Sequence, residues 1–574
     1  MPSKTSSIKK QIILYDLRQV GWVSVLYFLA LFVILPLQVI MKYTSDIYPD
    51  YPQPRSLFSY LPEVQGILSI TVPVLFSVLL FRYLHKKGVS DFVHSFPIKR
   101  SAVLHHQMIT GMFLLLIPII LNACILYALQ EFTDISYLYT GMQVLKWLGI
   151  LLLLNVIMFL AAMFTGMITG MFSLHVVLTY IFLILPVGFM LLLMLNTRML
   201  VFGFPSDYYL DITLEKYSPL TYFMGIFISP EDISWFIITI YAVIGIFFYI
   251  SALLLYVNRQ LESTSQPIVY PFMRPVFLYG VTLCSMMLTG YYLYDNSNSV
   301  EWAVVGYIGG SLVGFVIAEA ILKKTWRVYT NYKSYLLFFV FLVVVFFSAY
   351  FFKGNYENHI PEIDEVERVY FGPSYNYDQK NEYMEPGIEP LYYTEEKDIE
   401  LVQNLHERLV ILDKNYFEQY ADYGKSATIV YELKNGNKVA RSYVYPLKDP
   451  ELKKLQNEIE NSNNFKHANH PVFNIAPDTI NQVELHADVN GARVTYTSDQ
   501  KTINSIIEAI REDIESKYPQ PYDESVQTYS LILNSKEGKD HLSYYETFSD
   551  SYENTIEALK EAGLYDNIQL EAAE

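Results

Sequence analysis

The sequence predicts a polytopic α-helical membrane protein with nine transmembrane helices, followed by a soluble C-terminal α+β domain made of two related modules. Three observations predict this. Nine apolar stretches of bilayer length fill the first 353 residues; the composition turns charged and turn-rich after Phe352; and a strand, helix, hairpin, helix order then occurs twice. A helix rises about 1.5 Å per residue, so roughly 20 apolar residues cross the hydrocarbon core. Such runs lie near 20–41, 64–84, 109–129, 147–167, 171–195, 234–256, 275–294, 302–322 and 334–352.

The net charge of −17 averages two unlike halves. Residues 1–353 carry 21 Lys+Arg against 16 Asp+Glu, and residues 354–574 carry 20 against 42, so +5 and −22 make up the total. Basic residues cluster in alternate connections: Lys4, Lys9, Lys10 and Arg18; Arg82, Lys86, Lys87, Lys99 and Arg100; Arg259 and Arg274; Lys323, Lys324, Arg327 and Lys333. The other connections hold only Lys42, Arg55, Lys146, Arg198 and Lys216. The positive-inside rule then places the N-terminus in the cytoplasm, and nine crossings place the C-terminal domain outside the cell membrane. Trp22, Trp147, Trp235, Trp302 and Trp326 fall at or near span ends, where indole rings prefer the headgroup zone. The two cysteines, Cys124 and Cys284, sit inside spans, so the exterior domain must hold together by core packing alone.

In chain order, residues 1–19 read as a basic interfacial segment, 20–256 as a six-helix core with a loop at 85–108, 257–353 as three additional helices, and 354–574 as the exterior domain. The run from Trp147 to Leu195 is too long for one span; FTGMITGM offers either a tight turn or a Gly-x-x-x-Gly packing seam at Gly166 and Gly170, and the two are compatible. Between Thr197 and Asp232 the short apolar piece TYFMGIFIS cannot cross and reads as re-entrant or interfacial. Pro36, Pro73, Pro118 and Pro186 predict kinks. In the tail, EVERVYF, a helix from Glu396, a hairpin turning at Asn435-Gly436 and a helix near 448–461 form the module at about 362–462. INQVELHA, ARVTYTS, a helix from Asp499, a second hairpin and SYENTIEALKEAG form the module at about 478–565.

The loop after the second run reads HKKGVSDFVHSFPIKRSAVLHHQ. Ser90 is placed to cap a short helix, Asp91 to sit at its positive end, Phe92, Val93 and Phe96 to give it an apolar side, and Pro97 to stop it before Lys99 and Arg100. This is the pattern of a short helix lying along the membrane surface and offering aromatic side chains to a soluble partner. The string SDFVHSFPIKRS resembles the coupling-helix segment of bacterial ABC exporter permeases of the type-two superfamily, with Phe96 where leucine is commoner. The stretch LLLYVNRQLESTSQPIVYPFMRP is similar to the piece such permeases place after the sixth span, and the tail resembles a Firmicute branch with an added domain. The resemblance covers about 45% of the chain. It implies that Asp91, Phe92, Val93, His94, Ser95, Phe96, Pro97, Lys99 and Arg100 meet a dimer of a separate ABC ATPase, that the basic segment is an elbow helix, and that a second permease copy or paralogue completes the transporter.

No P-loop string occurs in the chain, so ATP and Mg are expected only on the partner, with no cofactor and no catalytic or metal site here. Asn122, Asn155, His175 and Glu319 are intramembrane polar residues that would line a transport path or bond between helices, Glu319 with Lys323 one turn away. His359, His406, His467, His470, His486 and His541 lie in the tail without metal-ligand spacing. The expected function is export of an amphipathic, peptide or lipid-like compound, as in multidrug or antimicrobial peptide resistance; the alternative is a sensor or resistance module whose exterior domain binds an antimicrobial peptide or cell-wall intermediate. The lipid bilayer is the other partner, and no nucleic acid is expected.

Overall fold

The computed structural model describes residues 3–44, 56–95, 97–133, 135–213, 218–228, 234–328, 332–373, 375, 392–412, 424–446, 449–487, 494–516, 528–537 and 540–565. The helical part begins with α1 (Ser3–Ile34), continued beyond Leu35 by α2 (Pro36–Thr44), then α3 (Pro62–Leu80), the short α4 (Lys87–His94), α5 (Arg100–Phe132), α6 (Gly141–Ile168) and α7 (Phe172–Leu200). Short helices α8 (Ser206–Thr213) and α9 (Pro219–Ile228) precede α10 (Trp235–Asn258), α11 (Met273–Ser297), α12 (Val300–Lys323) and α13 (Tyr332–Glu357). Among the described residues nine helices are long and apolar enough to cross a membrane, one at each predicted run. Their outward faces carry large apolar groups, with Phe113, Phe236 and Phe347 exposed by 63, 73 and 72%, a surface suited to lipid tails.

The elbow expected over residues 1–19 is not a separate element, because α1 runs through it into the first span. No proline or glycine interrupts 3–20, so helical hydrogen bonding propagates without a break. Trp147 also departs from expectation: it is fully buried and donates to Gln65 Oε1 at 3.0 Å, whereas the other four tryptophans are exposed. An indole N–H beside a buried amide is worth more inside the bundle than at its rim.

Prolines in the helices show where the freed carbonyls go. Pro118 has no N–H for the Leu114 carbonyl, and Ser24 Oγ of α1 donates to that oxygen at 2.6 Å. The 49-residue apolar run resolves into both of its alternatives: α6 ends at Ile168 and α7 starts at Phe172, while a Cβ at Gly166 would lie 2.7 Å from the His175 ring. Residues 221–228 of the piece TYFMGIFIS lie in α9, whose Phe223, Ile226 and Phe227 are buried in the helical core. A second small-residue seam, Gly306, Gly310 and Gly314 of α12, packs against Thr282, Ser285 and Thr289 of α11.

The chain divides into two compact units, Met1–Asn196 with Thr213–Val343, and Thr197–Ile212 with Val344–Glu574. The second unit thus takes in the segment after α7 as well as the tail. It contains β1 (Val366–Gly372), β2 (Tyr392–Tyr393), α14 (Glu396–Ile411), β3 (Gly424–Leu433), β4 (Lys438–Pro446) and α15 (Pro450–Glu460), then linking helices α16 (Asn463–Asn469) and α17 (Pro471–Asn474). After these come β5 (Ile480–Ala487), β6 (Val494–Thr497), α18 (Gln500–Ser516), β7 (Thr528–Glu537), β8 (Asp540–Ser549) and α19 (Glu553–Glu561). The antiparallel sheets have matching orders, β2-β1-β3-β4 and β6-β5-β7-β8, and each slips register once in the same place, between Val366 and Arg368 and between Ile480 and Gln482. Gly436 takes φ +84° at the Asn435-Gly436 hairpin turn, a conformation glycine reaches without strain.

Alternation along the strands sets two faces per sheet. In the first sheet Val369, Ile429 and Tyr431 pack on Val402, Leu405 and Leu409 of α14. Its opposite face, at Tyr370, Val430 and Ala440, is covered by Tyr375 and by Tyr208 of α8. The segment after α7 also caps the β4 edge: Ser442 N–H donates to Gly203 O at 3.1 Å, and Phe202 packs on Tyr443 with ring centroids 5.1 Å apart. Gly203 holds φ +72°, and a Cβ there would meet the Tyr443 ring at 2.7 Å.

His406 is fully buried between the hydroxyls of Tyr431 (3.0 Å) and Tyr443 (2.9 Å). Burial, aided by the positive charges of Arg441 and His359, pulls it down to about 3. Because the folded state holds the imidazole neutral, its contribution is fully present above the unfolded value of about 6.5 and is lost as pH falls toward 3. Hydrogen exchange in β3 and α14 of the intact protein is therefore expected to report a loss of about 2 kcal/mol between pH 7.5 and 5. Protection that stays constant across that range would show that His406 does not set it.

Candidate coupling site around the α4 helix

The connection between α3 and α5 is short and firmly held. Lys86 is extended (φ −122°, ψ 113°), α4 follows, and the Ser95 N–H closes it onto the Asp91 and Phe92 carbonyls. Pro97 then prevents continuation before α5 starts at Arg100. Ser90 does not cap this helix: Lys86 holds the cap position without a side-chain bond, and Ser90 lies within the helix, 2% exposed. Asp91 is accordingly past the first turn, where the helix dipole acts less on it.

Asp91 and Ser95 are exposed, Phe92 is 62% exposed, and Val93 is half-buried against the helical core. Pro97 and Lys99 are exposed, and Phe96 lies outside the described residues. The helix therefore has an outward side with Phe92 and an inward side with Ser90 and Val93.

His94 ties that inward side to the bundle. Its Nδ1–H donates to Ser90 O at 2.7 Å, because a carbonyl can only accept, which leaves Nε2 to accept from the Tyr256 hydroxyl at 3.2 Å. Tyr256 in turn receives the Tyr83 hydroxyl at 2.9 Å. Burial, with Arg100 and Arg259 nearby, holds His94 below the ordinary imidazole range, so it is neutral at pH 7. Arg100 makes a second tie, donating to Arg259 O at 2.8 Å just beyond α10.

Arg259 is the hub. It is 4% exposed, and its guanidinium donates to Gly166 O (3.0 Å), Met167 O (2.9 Å), Thr169 O (2.9 Å) and Leu84 O (3.1 Å). The ends of α6 and of the second span both leave carbonyls without helical partners, and the planar fork satisfies four of them at once. Val269 N–H takes the Ile168 carbonyl, and Gly170 exchanges backbone bonds with Ser265 and Gln266. A Cβ at Gly170 would lie 2.6 Å from the Gln266 carbonyl, so the turn between α6 and α7 needs glycine there.

The four polar candidates within the long helices each bond to neighbouring groups. His175 donates from Nε2 to Ala162 O at 2.7 Å and accepts from His85 Nε2 at 3.2 Å, beside the Arg259 hub. Asn122 and Asn155 brace α1, through Phe28 O (3.3 Å) and the Tyr27 hydroxyl (3.2 Å). Glu319 is buried in α12 with Lys323 at 2.7 Å. Arg259 reads in the sequence only as one more basic loop residue, and Tyr83 and Tyr256 as span aromatics; their roles appear once the helix ends converge. Asp16 was equally inconspicuous: it is 1% exposed, and neither carboxylate oxygen has a hydrogen-bond partner among the described residues.

Among the described residues no group of three or more His, Cys, Asp or Glu side chains is placed to hold a metal ion. The arrangement is an exposed aromatic helix tied through hydrogen bonds to the second, fourth and sixth long helices. Comparison with known proteins finds no matching family model, curated protein or solved structure.

Proposed function

We propose that the chain is the membrane-spanning permease subunit of an ATP-driven ABC exporter, with α4 as the cytoplasmic coupling helix and the tail on the exterior face. A separate ATPase dimer hydrolyses ATP and pushes on α4 around Phe92. Displacement of α4 then reaches α10 through His94–Tyr256 and through Arg100 at the Arg259 carbonyl, so the spans shift together and an amphipathic, peptide or lipid-like cargo moves outward. The observation that carries this reading is the combination in one short helix of an exposed Phe92 and a half-buried His94 hydrogen-bonded to Tyr256. A joint that transmits force needs both a grip outside and an anchor inside.

The test is co-purification with the cognate ATPase. Phe92→Asp and Phe96→Asp are expected to abolish the complex while leaving the permease inserted and folded, because Phe92 contributes little to the core. Normal recovery of the ATPase with both variants would end the coupling-helix assignment. One observation favours the alternative sensor reading: Thr197–Ile212 belongs to the same compact unit as the tail, so an event in the tail has a covalent route into α7. ATP-dependent transport activity, measured in vesicles, separates the two.

A further inference from the structure

Matching registers allow the two sheets of the second unit to be compared residue by residue. Counting from the shared bulge, Arg368 corresponds to Gln482, Tyr370 to Glu484 and Glu432 to Asn534. Tyr392 corresponds to Tyr496, and Lys438 to Ser543. In the first sheet the face away from the helices supplies its own cations. Arg368 bonds Glu432 at 2.6 Å and lies 4.0 Å over the Tyr392 ring, and Lys438 bonds Glu432 at 2.6 Å. Tyr208 and Tyr375 then cover it.

The second sheet keeps the aromatic and a carboxylate on this face but has lost both cations. Glu484 stands directly opposite Tyr496 on one side and Ile532 on the other, with Tyr545 beyond, a row that crosses all four strands. Tyr496 and Tyr545 are 66 and 47% exposed. Glu484 accepts from Asn534 Nδ2 at 2.7 Å and from His486 Nε2 at 3.4 Å, and no Lys or Arg among the described residues pairs with it. The Asn534 amide orients the carboxylate without bringing a charge of its own. The surrounding charge has the same sign, since residues 354–574 hold 42 Asp+Glu against 20 Lys+Arg.

We propose that this face is a docking surface for a cationic peptide, one of whose Arg or Lys side chains takes the place that Arg368 fills in the first sheet, against Glu484 and over Tyr496. An apolar neighbour in the peptide rests on Ile532 and Tyr545. The assignment follows from charge complementarity and from the filled counterpart in the same chain, and it holds whether or not the membrane unit transports cargo.

Fluorescence anisotropy of a labelled Arg/Ser peptide with the full-length protein in a non-ionic detergent, at about 150 mM salt, tests it. The wild type is expected to bind, and Glu484→Gln and Tyr496→Ala each to weaken binding roughly tenfold, since a carboxylate contact and a cation–π contact are lost. Gln482→Arg, which installs the internal cation of the first sheet, is expected to weaken it as much while leaving the fold intact. Glu458→Gln, an exposed glutamate on α15, is expected to change nothing. Failure of the wild type to bind, unchanged binding by Tyr496→Ala, whose side chain is too exposed to serve the core, or equal weakening by Glu458→Gln would each overturn the proposal. So would equal binding of the matching Glu/Ser peptide.

Discussion

Replacing Arg259 with alanine is expected to destabilise the membrane unit by about 4 kcal/mol, at the lower end of about 1 kcal/mol for each of four buried carbonyls left without a donor. Arg259→Lys should recover less than half of this, because one ammonium on a flexible stem cannot reach four oxygens arranged around a planar fork. The loss is read as a lowered midpoint in a denaturing-detergent titration. A second readout follows from the hub itself: with the guanidinium gone, the Leu84 carbonyl loses its tie to the segment after α10, and trypsin should cut faster at the neighbouring Lys86 and Lys87. Wild-type stability in Arg259→Ala would show that the carbonyls find other donors and that the hub is incidental.

The second large effect is expected at the α11–α12 seam. A Cβ at Gly306 would lie 2.5 Å from the Thr289 carbonyl oxygen and 2.8 Å from Gly290 Cα, backbone atoms that cannot turn aside. Gly306→Leu should therefore force the helices apart, breaking the Thr289 Oγ1 bond to Gly306 O (2.8 Å) and the Ser285 Oγ bond to Gly310 O (2.9 Å), at a cost of roughly 3 kcal/mol. Gly309 supplies the control, since a Cβ there meets nothing within 4 Å and faces away from the seam. Gly309→Leu should be close to neutral. Equal losses at the two positions would mean that helix propensity, and not packing, is being measured.

The spans and the strands of the tail were legible because each is a local pattern: continuous apolarity for the helices, alternation with an Asn-Gly turn for the hairpin. β2 was missed because two tyrosines are too short to show a period, and α16 and α17 because helices of 7 and 4 residues carry almost no apolar stripe. The extended first helix was missed for a different reason, since polar residues before a span say where lipid ends but not where helical hydrogen bonding ends. At the α4 site, exposure of Phe92 was readable from the loop itself, and the bond from Arg100 to the Arg259 carbonyl was not. Arg259 was not, because its partners are backbone carbonyls around residues 84 and 166–169, and backbone groups leave no mark in a sequence.

The segment that covers the first sheet is made long before the sheet it covers. Tyr208 and Phe202 leave the ribosome more than 150 residues ahead of Tyr370 and about 240 ahead of Tyr443, and four long apolar helices, α10 to α13, are laid down in between. An even number of crossings brings the chain back to the face it left; an odd number strands the two parts on opposite sides of the bilayer. On the proposed topology, therefore, the sheet can be capped only when all four helices have inserted, or when they have failed in pairs. On the proposed nine-span topology, a chain that drops one of these spans would present an uncapped β4 edge, an open row of backbone donors and acceptors.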